Sequence, residues 1–242
     1  MASSIKLNIS SQIIIFTILS SFFSCTIASS KSRPFKAIYA FGDSYTDTGN
    51  TASSNGPSSF MHVSSPPYGN TFFHHPTNRY SDGRLVIDFV TQTLSLPFLP
   101  PYRNPKADKS YGVNFAVAGS TSIIHSFFVK NNLTLNITPQ SLQTQLIWFN
   151  KFLESKGCYK GLENISKECK AVFDDALIWV GEIGANDYAY SVGSSVPTKT
   201  IQDLSIASLT SFLKISLTSC LVRSSNGEVY SCSDASRPPL MQ

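Results

Sequence analysis

The sequence predicts an α/β fold, a parallel sheet with helices on both faces. Three short apolar runs carry that prediction: Ala37-Ile38-Tyr39-Ala40-Phe41, Asn114-Phe115-Ala116-Val117-Ala118 and Ala176-Leu177-Ile178-Trp179-Val180. Each stops at a glycine, Gly42, Gly119 or Gly181, as buried strands do where they meet a turn. The stretches between them place apolar residues at helical spacing, and strands alternating with helices close into a parallel sheet. A length of 242 residues suits one such domain with a buried core.

Met1 to about Ala28 reads as a secretory signal peptide. Lys6 supplies the positive end, Ile13-Ile14-Ile15-Phe16-Thr17-Ile18-Leu19 begins the apolar centre, and Thr26-Ile27-Ala28 offers small residues for cleavage. Ser20, Ser21 and Ser24 interrupt the apolar centre, which is too short and broken for a membrane span. No second stretch reaches that length, so no membrane span is expected after cleavage. Net charge is +4, or +3 without Lys6, and the basic residues are scattered, which argues against nucleic-acid binding. A secreted chain is expected to carry disulfides and glycans. Cys25 leaves with the leader; Cys158, Cys169, Cys220 and Cys232 remain, and four cysteines allow three pairings. No Cys-x-x-Cys or Cys/His cluster suggests a metal. Asn132, Asn136 and Asn164 each head a glycosylation sequon.

The first strand runs straight into Gly42-Asp43-Ser44-Tyr45-Thr46-Asp47-Thr48-Gly49-Asn50. In an open parallel sheet that strand end faces the ligand crevice, and a serine there can present its hydroxyl to it. Asp43 and Ser44 can equally serve as caps of the following helix. Residues 51–81, rich in Ser, Pro, Asn and Gly but interleaved with aromatic residues, predict an ordered loop over the crevice mouth. Tyr68, Phe72, Phe73 and Tyr80 either wall an acyl chain or pin the loop to the core. Leu85, Val86, Phe89 and Val90 predict the apolar face of a helix that ends before Pro97. Thr138-Pro139 predicts the start of another, with Leu142, Leu146, Phe149 and Leu153 on one face and Gly157 as its stop. Trp148 and Phe152 are expected to pack rather than bind.

Four stretches, in order, resemble the sequence blocks of the plant GDSL esterase/lipases, a branch of the SGNH hydrolases. They are Gly42-Asp43-Ser44 with Thr48-Gly49-Asn50, the run from Pro66-Pro67-Tyr68-Gly69 to Ser81-Asp82-Gly83-Arg84, Asn114 to Ser120, and Gly184-Ala185-Asn186-Asp187-Tyr188. The resemblance spans about residues 35–212. It implies a three-layer α/β/α sandwich with a flavodoxin-like parallel sheet, and a carboxylic ester hydrolase that needs no cofactor. It also implies a nucleophile, Ser44, and an oxyanion hole built from the backbone N–H groups of Ser44 and Gly119 and the side-chain amide of Asn186. The physical chemistry agrees: glycine lets a backbone N–H approach a ligand closely, and an Asn amide is a neutral donor. Taken singly, Gly119 can simply end a strand, and Asn186 with Asp187 can form an Asx turn. The Gly-x-Ser-x-Gly elbow of the α/β-hydrolases is absent. Cys158 and Cys169 both lie inside the family-like region and are the preferred disulfide.

The family draws its base from a C-terminal Asp-x-x-His. The histidines here are His62, His74, His75 and His125; none has an Asp three residues before it, and all precede the third apolar run. The catalytic Asp and His are therefore assigned to no residue. After about Phe212 the apolar period fades, and residues 214–242 hold seven Ser, two Cys and two adjacent Pro. The expectation is a signal peptide over 1–28, a partial hydrolase domain over 29–213 lacking its last strands, and an atypical tail over 214–242. Two functions follow: a secreted hydrolase of small-molecule or lipid esters acting through an acyl-Ser44 intermediate, or a truncated, non-catalytic relative that at most binds such esters.

Overall fold

The computed structural model describes residues 35–53, 62–133, 138–158, 169, 172–173 and 175–220. Residues 1–28, where a signal peptide is expected, Asn136, Asn164, Cys232 and most of the tail lie outside these residues.

Among the described residues three parallel strands form the sheet: β1 (Ala37–Phe41), β2 (Gly112–Asn114) and β3 (Ala176–Val180), in the order β2-β1-β3. The helices are α1 (Val86–Thr93), α2 (His125–Lys130), α3 (Leu142–Ser155), α4 (Ala185–Ala189) and α5 (Thr198–Cys220). Because strand side chains alternate, β1 supplies two cores at once. Tyr39 and Phe41 point to one face, where they pack with Phe115, with Phe149 and Phe152 of α3, and with Phe212 of α5. Ile38 and Ala40 point to the other, against Leu85, Ile87, Leu96 and Leu99 around α1. The sheet thus lies between two helical layers, the α/β/α sandwich that the sequence predicts.

The second apolar run is not itself the strand. β2 ends at Asn114; beyond it Phe115 N–H and Val117 N–H still bond Ala40 O and Gly42 O, while the Ala116 and Ala118 N–H groups turn to side chains, and all four residues are buried. Asn114 breaks the pattern: its Oδ1 accepts the Ala116 N–H at 2.9 Å while its Nδ2 donates to Thr46 O at 2.6 Å. The third run forms β3 as expected, but half-buried rather than buried, because β1 is its one neighbour among the described strands.

Two helix readings need adjustment. α3 begins at Leu142 after Ser141, later than Thr138-Pro139 suggests, and buries Gln145 and Phe152 in addition to the four expected residues. α1 is rotated from its expected face: Ile87, Asp88 and Thr91 are buried while Val86 and Phe89 are exposed. A buried ion pair sets that rotation. Arg79 Nε and Nη2 each donate to the Asp88 carboxylate at 2.9 Å, and Asp88 Oδ2 also accepts the Leu85 N–H. A charge so deeply placed must keep its partner, so the apolar face gives way. Phe89 is covered instead by the Arg84 guanidinium, 4.1 Å from its ring centre.

The loop before α1 is pinned by its aromatic residues. Tyr68 and Tyr80 cluster with His62, Phe72 and Phe73 cluster with Phe98, and Arg79 lies over Phe73. Cys158 and Cys169 form a disulfide, the pairing that the resemblance favours. α5 continues the helical structure through Cys220, beyond the expected fading at Phe212. Among the described residues no helix is long and apolar enough to cross a membrane.

Gly112 has a φ of 118°, and a Cβ there would sit 1.9 Å from Ile38 O. Gly112→Ala should therefore force β2 away from β1 and cost about 2–4 kcal/mol. Chemical denaturation of the variant beside the parent chain measures this.

Candidate active site

The site begins where β1 ends. Gly42 is held at both of its backbone groups by Gln145 of α3: Gly42 N–H donates to Oε1 at 3.0 Å, and Nε2 donates to Gly42 O at 2.7 Å. The same Nε2 donates to Ser120 Oγ at 3.1 Å, so one buried side chain ties the end of β1 to the turn after residues 115–118. Asp43 N–H then bonds Glu182 O, and Asp43 O accepts the N–H groups of Thr46 and Asp47. That single helical turn leaves Ser44 half-buried and Tyr45 67% exposed, with the serine on the side of the turn that solvent reaches.

Behind the turn stands the fully buried Asp47. Its Oδ1 accepts the N–H groups of Gly49 and Asn50 at 2.8 and 2.6 Å. Its Oδ2 accepts the Thr51 N–H, the Thr51 hydroxyl and the Ala118 N–H, the last at 2.9 Å. Burial pushes this carboxyl up, and the donors pull it back. Asn50 adds a second tie, its Nδ2 donating to Asn114 O and Ala116 O at 2.8 Å each. The serine turn and the segment leading to Gly119 are therefore one hydrogen-bonded body.

Gly119 has a φ of 78°, a conformation glycine adopts without strain. Its carbonyl accepts the Tyr190 hydroxyl at 2.9 Å, and the neighbouring Ala118 O accepts the Thr138 hydroxyl. Among the described residues, neither the Ser44 N–H nor the Gly119 N–H has an acceptor.

Asn186, on α4, joins the two stretches. Its Nδ2 donates to Asp43 Oδ2 at 2.9 Å and to Ser120 O at 3.0 Å, so it stands beside the neighbours of both Ser44 and Gly119. Both of its amide hydrogens are engaged, so to act as the third donor it must release one. The Asx-turn alternative is not what forms. Asp187 turns inward, accepting Ser122 N–H and Ile123 N–H at 2.8 Å and the Ser122 hydroxyl at 3.0 Å.

No base reaches the serine: among the described residues, no side chain hydrogen-bonds Ser44 Oγ. His62 packs on Tyr68 and Tyr80, His74 lies 3.2 Å from Asn70 O, His75 is exposed, and His125 opens α2. Asn132, the one sequon asparagine among the described residues, is exposed after α2. No group of three His, Cys, Asp or Glu among the described residues could hold a metal ion. An open basic groove between Tyr102, Lys109 and Lys156 contains none of the residues gathered at Ser44.

Sequence reasoning missed Asp47, Asn50, Gln145, Glu182 and Tyr190 as parts of this site. Gln145 carries one readable signal, a lone amide on the Leu142–Phe149 apolar stripe, because a polar side chain buried there must find partners. The others bond backbone groups, which no residue pattern displays.

Ser44 and backbone N–H groups without acceptors thus stand at the carboxyl end of β1, the middle described strand of an α/β/α sandwich. Comparison with known proteins makes the family specific: residues 38–229 match the model of the GDSL-like lipase/acylhydrolases, and the chain belongs to that family. It is 57% identical over 189 residues to a GDSL esterase/lipase of Arabidopsis thaliana, a match covering 75% of this chain and 48% of the relative. Two further Arabidopsis thaliana GDSL esterase/lipases are 43% and 42% identical, over 71% and 74% of this chain and 41% and 45% of their own lengths. The chain thus spans about half the length of the curated relatives it matches.

Gln145→Leu preserves the apolar stripe but strands Gly42 N–H and C=O in the interior. It should lower stability by about 2–4 kcal/mol, and a thermal melt against the parent chain checks this.

Proposed function

We propose that this is the nucleophile-bearing part of a secreted carboxylic ester hydrolase that acts on small-molecule or lipid esters through an acyl-Ser44 intermediate. The observation that carries the reading is the position of Asn186. Its amide links the turn of Ser44 to the turn of Gly119, which supports all three as donors around one developing oxyanion. Ser44 attacks the ester carbonyl, the carbonyl oxygen becomes the oxyanion, and the alcohol leaves; water then attacks the acyl-serine and releases the acid. Each step needs a base to take and return a proton, and we assign it to none of the four histidines. The leader over 1–28 supports secretion, and the sequons at Asn132, Asn136 and Asn164 fit a secreted glycoprotein.

One observation favours a second reading, in which this chain binds esters without turning them over. No described side chain hydrogen-bonds Ser44 Oγ, and a serine hydroxyl without a base is a weak nucleophile at neutral pH.

Hydrolysis of p-nitrophenyl acetate separates the two. The chain alone should show little turnover, and Ser44→Ala should change it only slightly. Fusion to a family C-terminal segment carrying Asp-x-x-His should give hydrolysis that Ser44→Ala abolishes, by about 10³-fold or more. Strong turnover by the chain alone, lost in Ser44→Ala, would instead recruit one of its own histidines as base. A fusion with no Ser44-dependent hydrolysis would overturn the hydrolase reading.

A further inference from the structure

Toward the C-terminal end of α3, away from Gln145, two elements enclose an open groove of about 600 Å³. One wall is the loop that carries Tyr102 to Ser110, and the other is the last stretch of α3 with Lys151, Ser155 and Lys156 beyond it. Four cations face this one volume: Arg103 and Lys109 from the loop, Lys151 and Lys156 from the helix side. Against them stands one acid, Asp108, whose Oδ1 already accepts the Ser110 N–H at 2.9 Å and the Ser110 hydroxyl at 2.6 Å. Among the described residues, none of the four cations enters an ion pair.

Three of the four are seated on the protein rather than left to solvent. Lys109 Nζ donates to Tyr102 O at 2.9 Å and lies 5.2 Å from the Tyr102 ring centre. Lys156 Nζ lies 5.6 Å from the ring centre of the buried Phe152, and the Arg103 guanidinium lies 5.6 Å from that of Trp148, which stacks on Tyr102. The loop is itself anchored: Tyr102 N–H donates to Asn114 O at 2.8 Å, and Arg103 N–H donates to Asn50 Oδ1 at 3.0 Å. Cations already held on aromatic faces lose little further freedom when a ligand arrives. The helix dipole is reason enough for Lys151 and Lys156 near a C-terminus, but it does not bring Arg103 and Lys109 to the same hollow from a loop. Gathering like charges in this way costs stability unless a counter-charge enters.

We propose that this groove binds a small organic polyanion carrying at least two phosphate or carboxylate groups. A singly charged group pairs with one or two of the cations and leaves the others facing each other, whereas two or more groups along the groove meet all four. Lysine binds as a point charge, so phosphate and carboxylate share this recognition. The volume suits a ligand of small-molecule size rather than a single inorganic ion. The groove shares no residue with the Ser44 turn, and the inference goes beyond the hydrolase reading without resting on it.

Isothermal titration calorimetry on the full chain at low ionic strength tests this, with tripolyphosphate and citrate as probes and acetate as the singly charged control. At least one probe should bind as a single molecule per chain, more tightly than acetate, and added salt should weaken it. Lys109→Gln/Lys156→Gln should weaken that binding about tenfold. Lys130→Gln/Lys199→Gln removes the same net charge from exposed positions outside the groove and should leave the affinity within about twofold. A thermal melt without probe shows that each variant folds; where Lys109→Gln/Lys156→Gln does not melt cooperatively, Arg103→Gln/Lys151→Gln replaces it with the same expectation. Tighter binding of tripolyphosphate supports the proposal in its phosphate form, and tighter binding of citrate supports the carboxylate form. Failure of both probes to bind, acetate binding as tightly as either, or equal weakening in the groove and control variants overturns it.

Discussion

The carboxylate of Asp47 is the constraint on which the rest of the site depends. A single buried group accepts four backbone N–H groups and one hydroxyl, three of the N–H groups from its own turn and the fourth from Ala118 across the sheet end. Donors near the turn could be satisfied by water if the turn opened, whereas the Ala118 N–H is buried and its other acceptor, Thr51 Oγ1 at 3.0 Å, is itself held by Asp47. The cost of stranding such a donor, about 1–3 kcal/mol, holds the segment before Gly119 against the serine turn. Asn50 and Gln145 repeat the device from other directions, joining the same segments at Ala116 and Ser120. The alternation of β1 seats α3 and α1 on its two faces, and α3 also reaches the site through Gln145.

Much of this was legible in the sequence, and for a clear physical reason. Strand and helix periods report burial, so Ala37–Phe41, Ala176–Val180 and the stripe Leu142, Leu146, Phe149 and Leu153 appear where the pattern places them. The pattern misleads where a polar group overrides it. Asn114 ends β2 before the most apolar residues of its run, and Asp88 turns α1 so that Ile87 is buried and Phe89 is not. In both places a side chain bonds a specific partner distant in sequence or off the helical stripe, and residue periodicity holds no record of that partner.

The site divides in the same way. Ser44, Gly119 and Asn186 were named through the resemblance, and the geometry brings their neighbourhoods together through the Asn186 amide. The supporting shell, Asp47, Gln145, Glu182 and Tyr190, acts almost wholly through backbone atoms and neighbouring side chains. A hydrogen bond to a carbonyl leaves no signature in the identity of the residue that owns that carbonyl. The proposed function therefore rests on a readable triplet seated in an unreadable scaffold.

Amide hydrogen exchange in Asp47→Asn is the most direct measurement of that dependence. The substitution keeps one oxygen for the Gly49 and Asn50 N–H groups but turns an NH2 toward Thr51 and Ala118. In the parent chain the amides of Gly49, Asn50 and Ala118 should be protected, and those of Ser44 and Gly119 should exchange readily, as unspent donors at an open crevice. In Asp47→Asn the Ala118 amide should exchange at least about tenfold faster, while Gly49 and Asn50 keep their protection. Unchanged protection at Ala118, or strong protection at Ser44 and Gly119 in the parent chain, would contradict the account.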